Sequence, residues 1–301
     1  MARQKQSKRK LLRETGQGYL FMGPALLTIG IFILLPIIYA VILSMQKVNL
    51  LAGISEFVGL GNFSRITDDF RVGIALRNTA IYVAVVVPVQ TLLALILAAG
   101  LNARIKGTNL FRVIYFLPTL TSSAVLALIF MFMYNNQNGL VNQFLATIGL
   151  PTYNWLGDPS VALIAIMIMN IWATAPFYMV IYLAGLKDVP ESLYEAAELD
   201  GASAIQKFRY ITVPMLRPIT SFVIIMGIIG TFQLFDQSYI FSGGTGGPDN
   251  STLTIVLLIY QYAFNTYDQM GYAAALAFLL AIIILIATLI QRKFQKDEQV
   301  Y

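Results

Sequence analysis

The chain has 301 residues, of which 57% are hydrophobic and only 12% are charged, and its formal net charge is +5. It contains no Cys and no His, which excludes disulfide frameworks, zinc–thiolate sites, cysteine nucleophiles and Ser-His-Asp triads. A soluble domain carries roughly a quarter charged residues, so the composition predicts a chain embedded in a membrane.

The charged residues are clustered, and the long charge-free stretches between them are candidate membrane spans. A hydrocarbon core of about 30 Å requires about 20 helical residues. Six helices are predicted, at 19–45, 78–101, 111–134, 161–186, 219–241 and 270–290. Barrel strands would alternate apolar and polar residues, whereas these stretches are apolar on every face. The expected fold is therefore an all-α polytopic membrane protein, with Pro36, Pro88, Pro118 and Pro176 inside its spans.

Basic residues near the ends of the spans predict the orientation of the chain. Sixteen of the twenty Lys and Arg residues lie before the first span, in the second and fourth connections, or in the tail. Both termini are therefore expected in the cytoplasm.

The sequence predicts four segments. They are a basic cytoplasmic segment at 1–18, a first helix and external loop at 19–69, a transmembrane domain at 70–291 and a cytoplasmic tail at 292–301.

The fourth connection, at 187–217, has a pattern that a plain loop does not need. Asp188 and Pro190 suit the start of a helix, and Gly201 suits its end. We expect a helix between them and a second short helix at 202–210. Two interpretations remain open on the residues alone: a docking surface for another protein, or an amphipathic hairpin at the membrane surface without a partner.

The same connection carries Glu195-Ala196-Ala197, then Gly201, then Ile211-Thr-Val-Pro214. This spacing resembles the EAA loop of binding-protein-dependent ABC importer permeases, EAA-x3-G-x9-I-x-L-P, with Val213 in place of Leu. Further segments resemble the maltose-type carbohydrate branch of these permeases: Tyr19-Leu-Phe-Met-Gly-Pro-Ala, Phe57-Val-Gly-Leu-Gly-Asn-Phe63, Arg77-Asn-Thr79, Gly246-Gly247-Pro248, Tyr267 and Gly271-Tyr-Ala-Ala-Ala275.

The resemblance implies a type I ABC importer permease fold in a bacterial or archaeal inner membrane. It also implies a second homologous permease, two ATPase subunits and an extracytoplasmic solute-binding protein as partners. Coupling to the ATPase would involve six residues: Glu195, Ala196, Ala197, Glu198, Asp200 and Gly201. The chain has no Gly-x4-Gly-Lys-Ser/Thr loop, so ATP and Mg are expected in the ATPase subunits. This chain is expected to be neither an enzyme nor a cofactor-binding protein.

The solute implied by the resemblance is a sugar or sugar-like molecule. Polar residues at bilayer depth are costly, and the candidates for a substrate pathway are Asn170, Thr174, Tyr178, Gln233, Asp236 and Gln237. By position relative to the EAA motif, Asn170 resembles a sugar-contacting Asn of the maltose-type permease, and Gln233 lies near another. The alternative role for these residues is hydrogen bonding between helices, and for Asp236 an ion pair or a contact with a partner protein.

Three other functions are weighed against sugar import. Glycerol-phosphate or compatible-solute importers share these features, although the spans contain no cluster of basic residues for a phosphate. A secondary transporter would often show inverted repeats and intramembrane charges, which are not evident here. An intramembrane enzyme would need a carboxylate pair, and the pair Asp68-Asp69 is expected instead to be solvated in the external loop.

Overall fold

The computed structural model describes residues 8–49, 53–102, 107–266 and 268–298. Residues 1–7 of the basic segment and 299–301 of the tail lie outside the described residues. So do Arg104 and Lys106 of the second connection, and Tyr267 of the resemblance.

Within the described residues, five helices are long and apolar enough to cross a membrane: Glu14–Ser44, Phe70–Asn102, Ala162–Leu186, Arg217–Ser242 and Met270–Lys293. They match five of the six predicted spans. The predicted third span is not one helix, because Leu110–Leu120 and Ser123–Met133 meet at an angle of 97°. The bend follows Pro118 and a short 3-10 turn, where the proline ring and its missing N–H oppose a continuous α-helix.

The α-helices in chain order are α1 (Lys8–Ile29), α2 (Leu35–Ser44), α3 (Gly61–Asp68), α4 (Phe70–Asn102), α5 (Thr108–Phe116), α6 (Ser123–Met133), α7 (Leu140–Thr147), α8 (Ala162–Leu186), α9 (Glu191–Leu199), α10 (Ala204–Lys207), α11 (Val213–Met215), α12 (Arg217–Phe232), α13 (Asp236–Ser242), α14 (Ile255–Phe264) and α15 (Met270–Glu298). Two π-helical segments, Gly30–Leu34 and Phe208–Thr212, and the 3-10 turn Leu117–Leu120 connect neighbouring helices. Pro88 and Pro176 lie inside α4 and α8, as the sequence predicts.

The first connection contains a small antiparallel hairpin, which the all-α expectation did not include. Strand β1 (Gln46–Asn49) pairs with β2 (Ile54–Phe57), and α3 follows. The start of α15 packs closely on this region, since a Cβ built on Gly271 would lie 1.8 Å from the carbonyl oxygen of Gln46. Only glycine therefore permits this approach of α15 to the hairpin.

Helices α4 and α8 pack along each other at the centre of the bundle, and α12 contacts both. The buried residues form three clusters: one around Tyr82 and Trp155, a second joining α4 to α14 and α15, and a third around Tyr182 and Leu216. Large apolar side chains such as Phe21 and Phe132 remain exposed on the outside of the bundle. Such a surface suits lipid, which is as apolar as these side chains.

Of the carboxylate pair in the first connection, Asp68 is exposed, as predicted, whereas Asp69 is bonded to other side chains. The Asp69 Oδ2 atom accepts hydrogen bonds from the hydroxyls of Tyr262 and Tyr272, at 2.6 and 3.1 Å. The Arg65 guanidinium lies 4.2 Å from the centre of the Tyr272 ring. Folding brings α14 and α15 onto this segment, and these contacts between distant parts of the chain give Asp69 its partners.

Candidate functional site

A cavity of about 200 Å³ lies between the bend of the third span and helix α8; we call it cavity A. Its described lining residues are Pro118, Thr119, Thr121, Ser123, Leu126, Met169, Asn170, Ala173, Thr174, Phe177, Tyr178 and Gln237. Four of the six residues predicted for the substrate pathway belong to this wall. The hydroxyl-rich stretch at the bend supplies most of its remaining polar groups.

A second cavity of about 210 Å³, cavity B, adjoins the first and shares Ser123, Asn170 and Gln237 with it. Its other described lining residues are Tyr82, Gly230, Gln233, Leu234, Phe235 and Asp236. The structure thus brings all six predicted pathway residues to two neighbouring cavities. Each cavity is smaller than the roughly 300–1,000 Å³ of pockets for drug-sized ligands.

Interrupted helices build both cavities. Helix α12 ends at Phe232 and α13 begins at Asp236, so Gln233 lies at a break in the fifth span. The bend at 121–122 interrupts the third span in the same way. Discontinuous helices are typical of solute sites in membrane transporters, because the break directs polar groups into the bundle.

Two of the predicted pathway residues already have protein partners. The Thr174 Oγ1 atom lies 2.8 Å from Gln90 Oε1 on α4 and 2.8 Å from the carbonyl oxygen of Asn170. The Ser123 hydroxyl donates a hydrogen bond to the Asp236 carboxylate. Hydrogen bonding between helices, the alternative role considered for such residues, therefore applies to Thr174 and Asp236.

The side-chain amides of Asn170, Gln233 and Gln237 differ from these two. None of the three forms a hydrogen bond with another residue in the part of the chain that the structure describes. Polar groups inside a membrane bundle are costly unless they are paired. These amides are consequently the groups best placed to bind a solute in the cavities.

The electrostatic character of the cavities is nearly neutral. Asp236 is the only charged residue among the described residues that line either cavity, and none of them is Lys or Arg. Such a lining offers hydrogen bonds without a positive charge. It suits an uncharged polar solute better than a phosphate or a carboxylate.

Sequence reasoning missed Tyr82, Thr119, Thr121 and Ser123 as lining residues. A signal for three of them is present, since hydroxyl residues cluster after Pro118 within a long charge-free stretch. Tyr82 has no such signal, because it is one aromatic residue in an apolar span. Only the packing of α4 against α6 and α8 places it at a cavity.

Helix α9 extends beyond the end of α8 as an exposed short helix, in the place predicted from the fourth connection. Asp188 does not cap it, because Asp188 lies in the turn that follows α8, where its N–H bonds to the carbonyl of Gly185. Pro190 occupies the N-cap instead. Gly201 ends the helix at a φ of +75°, as predicted.

The segment after α9 is joined to it by side-chain contacts. Lys207 Nζ lies 2.5 Å from Glu198 Oε1, and this hydrogen bond and the Lys207 charge lower the pKa of the Glu198 carboxyl. The Tyr194 hydroxyl lies 2.8 Å from Thr212 Oγ1. The predicted second helix is present as α10 followed by the π-helical segment. Helix α9 is therefore linked to the chain that leads into α12.

The side chains on α9 remain available to a partner. Glu195 and Ala196 are exposed and Ala197 is half-buried. Leu199, 91% exposed, and Ile205, 79% exposed, add apolar surface next to them.

Within the described residues, no group of three or more His, Cys, Asp or Glu side chains could hold a metal ion.

Comparison with known protein families matches residues 90–299 to the binding-protein-dependent transport system inner membrane component. The chain belongs to this family. It is therefore a permease subunit of an ABC importer, a transport component rather than an enzyme, as the EAA-like spacing around Glu195 and Gly201 implied.

Several curated relatives resemble this permease over nearly all of its length. The lactose transport system permease protein LacF of Rhizobium radiobacter is 38% identical over 91% of this chain and 92% of its own. The arabinooligosaccharides permease AraP of Bacillus subtilis is 36% identical over 91% of this chain and 87% of its own. The trehalose/maltose permease MalF of Thermococcus litoralis is 34% identical over 95% of this chain and 96% of its own.

Two solved structures share the fold of the permease. A bacterial ABC transporter involved in the import of the acidic polysaccharide alginate matches with a TM-score of 0.77 and 21% identity, covering 96% of this chain and 99% of that chain. The alginate transporter in complex with its pentasaccharide-bound periplasmic protein matches with a TM-score of 0.78 and 21% identity, covering 96% of each chain. At this identity the likeness concerns the fold alone.

Proposed function

We propose that this permease imports an uncharged sugar or sugar-like solute across the inner membrane. The observation that carries the proposal is the set of unpaired amides, Asn170, Gln233 and Gln237, around two small cavities. Sugar hydroxyls donate and accept hydrogen bonds, and an amide offers both functions. The aromatic rings of Phe177 and Tyr178 in cavity A supply apolar faces for a sugar ring. The lactose, arabinooligosaccharide and trehalose/maltose permeases among the relatives support the same class of solute.

The alternative of a glycerol-phosphate or other anionic solute has less support from the cavities. A phosphate is normally bound by Arg, Lys or clustered backbone N–H groups. Asp236, the charged lining residue, would repel an anion. A compatible solute of zero net charge is distinguished from a sugar by experiment below.

We propose that α9 couples this permease to an ATPase subunit through Glu195, Ala196, Ala197, Glu198, Asp200 and Gly201. Glu195 and Glu198 are both exposed, but Glu198 is paired with Lys207 of the same connection. Glu195 is therefore the carboxylate that would accept charge-assisted hydrogen bonds from the ATPase. Glu198 would keep α9 attached to α10. ATP and Mg would bind only in the two ATPase subunits.

The proposed complex contains a second homologous permease and an extracytoplasmic solute-binding protein. In this arrangement α9, the N-terminus and the C-terminus face the cytoplasm, as the distribution of basic residues indicates. The chain then contributes six spans, counting the bent pair as one. The cavities of this chain would form one side of a pathway completed by the second permease.

Reconstitution of the complete complex in proteoliposomes tests the proposed function. With the binding protein outside and ATP inside, we expect uptake of at least one radiolabelled sugar from a panel of lactose, maltose and arabinooligosaccharides. Glycerol 3-phosphate and glycine betaine serve as the anionic and compatible-solute probes. Uptake of either probe without uptake of any sugar would overturn the proposal, as would sugar uptake by this chain alone driven by an ion gradient.

A further inference from the structure

A third cavity, cavity C, has a volume of about 360 Å³ and is lined by residues of α4, α5 and α8. Its wall includes Leu93 and Leu97 of α4, Ile114 and Tyr115 of α5, and Trp172 of α8. No charged residue and no Asn, Gln, Ser or Thr is among the described residues that line it. Such a wall suits a hydrocarbon chain, because it offers few hydrogen bonds to a polar solute.

Cavity C and cavity A lie on opposite faces of α8. Trp172 and Pro176 line cavity C, whereas Asn170 and Thr174 line cavity A. Each pair is one helical turn apart, and the two pairs are offset by two residues, which is about 200° around the helix axis. Ile114 and Trp172, 50% and 47% exposed, open cavity C to the side of the bundle. Cavity C is therefore separate from the proposed solute pathway.

A positive charge lies near one end of cavity C. Arg112 precedes Tyr115 by three residues on α5, so the two side chains share a face of the helix. It lies one turn closer to the start of α5, which the proposed orientation places at the cytoplasmic surface. Arg112 is half-buried and forms no ion pair or hydrogen bond with the described residues. Because an unpaired, partly buried charge is costly, an anion from outside the chain would stabilise it.

The depth of cavity C corresponds to the position of an acyl chain. Helix α4 ends at Asn102, five residues after Leu97 and nine after Leu93. At 1.5 Å per residue, these side chains lie about 7–14 Å from the end of the helix. The head-group region is about 5–8 Å thick on each side of the bilayer. A ligand beside Leu93 and Leu97 therefore lies in the hydrocarbon of the leaflet nearest to Arg112.

We propose that cavity C binds an anionic phospholipid of the cytoplasmic leaflet. One acyl chain lies against Leu93, Leu97 and Trp172, and the phosphate accepts charge-assisted hydrogen bonds from the Nη groups of Arg112. Charge complementarity favours this occupant, since basic pockets between membrane helices bind anionic head groups on the cytoplasmic side. A zwitterionic lipid brings the same chains, but its ammonium group weakens the attraction to Arg112.

Trp172 provides a reporter in the wall of cavity C. The chain has only two tryptophans, and the other, Trp155, belongs to a buried cluster and does not line this cavity. The complete complex is reconstituted in vesicles of phosphatidylcholine and phosphatidylglycerol, with bromine on the acyl chains of one lipid at a time. Bromine quenches tryptophan fluorescence on contact. The signal of wild type minus that of Trp172→Phe isolates the quenching of Trp172.

We expect phosphatidylglycerol to quench Trp172 as if it occupied the site about fivefold more than phosphatidylcholine at equal mole fraction. Fivefold corresponds to about 1 kcal/mol, the contribution of one Arg near an anionic membrane surface. Arg112→Gln should abolish this preference, and Arg112→Lys should retain most of it because the charge remains. Arg292→Gln is the matched control, since Arg292 is exposed after the last span and lines none of the three cavities.

Equal quenching by the two lipids in the wild type would overturn the inference, as would an unchanged preference in Arg112→Gln. Loss of the preference in Arg292→Gln would also overturn it, by assigning the effect to the general charge of the surface. Trp172 fluorescence that neither brominated lipid quenches would show that protein, such as the second permease, covers cavity C. None of these outcomes concerns sugar import, which the uptake assay tests separately.

Discussion

Two kinds of polar residue occur in the spans of this permease, and the sequence does not distinguish them. Thr174 bonds to Gln90 on α4, which lies 84 positions earlier in the chain. Asn170 lies one helical turn from Thr174 and has no side-chain partner among the described residues. Both residues are visible from sequence as polar interruptions of an apolar stretch. Whether each is paired depends on a helix that is distant in sequence, so only the packed bundle separates the two.

This difference predicts opposite phenotypes for two neighbouring substitutions. Thr174→Val leaves the buried Gln90 oxygen unpaired, so we expect a loss of stability of about 1–3 kcal/mol with sugar affinity nearly retained. Asn170→Ala should weaken sugar binding about tenfold or more with little loss of stability. Thermal unfolding of the purified complex and equilibrium sugar binding measure the two effects. A larger loss of stability in Asn170→Ala than in Thr174→Val would assign Asn170 a structural role.

At the scale of helices, the ends of α9 and the break in the third span illustrate what local sequence predicts. Gly201 was predicted to end α9, and it does so because a left-handed backbone conformation strongly favours glycine. Asp188 was predicted to begin it, but Asp188 lies in the turn that closes the end of α8. Pro118 was expected inside a continuous span, yet the chain bends by 97° after it. Hydroxyl residues following Pro118 make the bend suitable for a cavity wall, which a hydropathy pattern alone does not reveal.

Gly201 and Gly149 form a matched pair for testing the role of α9. Both have a φ of +75° with no atom near a built Cβ, and both end a short helix with the same pair of backbone hydrogen bonds. Replacement by Val should cost each site about 1–2 kcal/mol of backbone strain. We expect Gly201→Val to abolish ATP-driven uptake while the chain still inserts in the membrane, and Gly149→Val to retain uptake.

Uptake assays in cells, with quantification of the permease in the membrane fraction, measure both properties. Full uptake by Gly201→Val would remove the support for a coupling role of this turn. Equal loss of uptake in both variants would show that backbone strain, rather than the position of α9, causes the defect.

For the molecule as a whole, the placement of charge agrees with a membrane bundle of fixed orientation. Lys187, Lys207, Arg209 and Arg217 lie in the connection that contains α9, and Arg292 and Lys293 follow the last span. The first spanning helix, Glu14–Ser44, has none of its apolar window buried within this chain. Its surface is left for lipid or for another subunit, in accordance with a permease that acts in a complex.

Because the chain has no cysteine, introduced single cysteines report the orientation without background. Leu199→Cys, on the exposed end of α9, should react with a membrane-impermeant maleimide only after the cells are opened. Ser55→Cys, on the exposed strand β2, should react in intact cells. The reverse pattern would place α9 outside and would contradict coupling to a cytoplasmic ATPase. Labelling of the cysteine-free parent chain is the control.

The sequence by itself determined the membrane class, the approximate spans, the position of α9 and six polar residues that line the two cavities. These features depend on local composition, on backbone preference at residues such as Gly201, and on polar residues that stand out in apolar helices. The tertiary structure alone decided which polar groups are paired, that Asp69 is bonded rather than solvated, and that Tyr82 lines cavity B. The reason is physical: hydrogen-bond pairing and cavity lining depend on contacts between helices far apart in sequence, and no local pattern encodes those contacts.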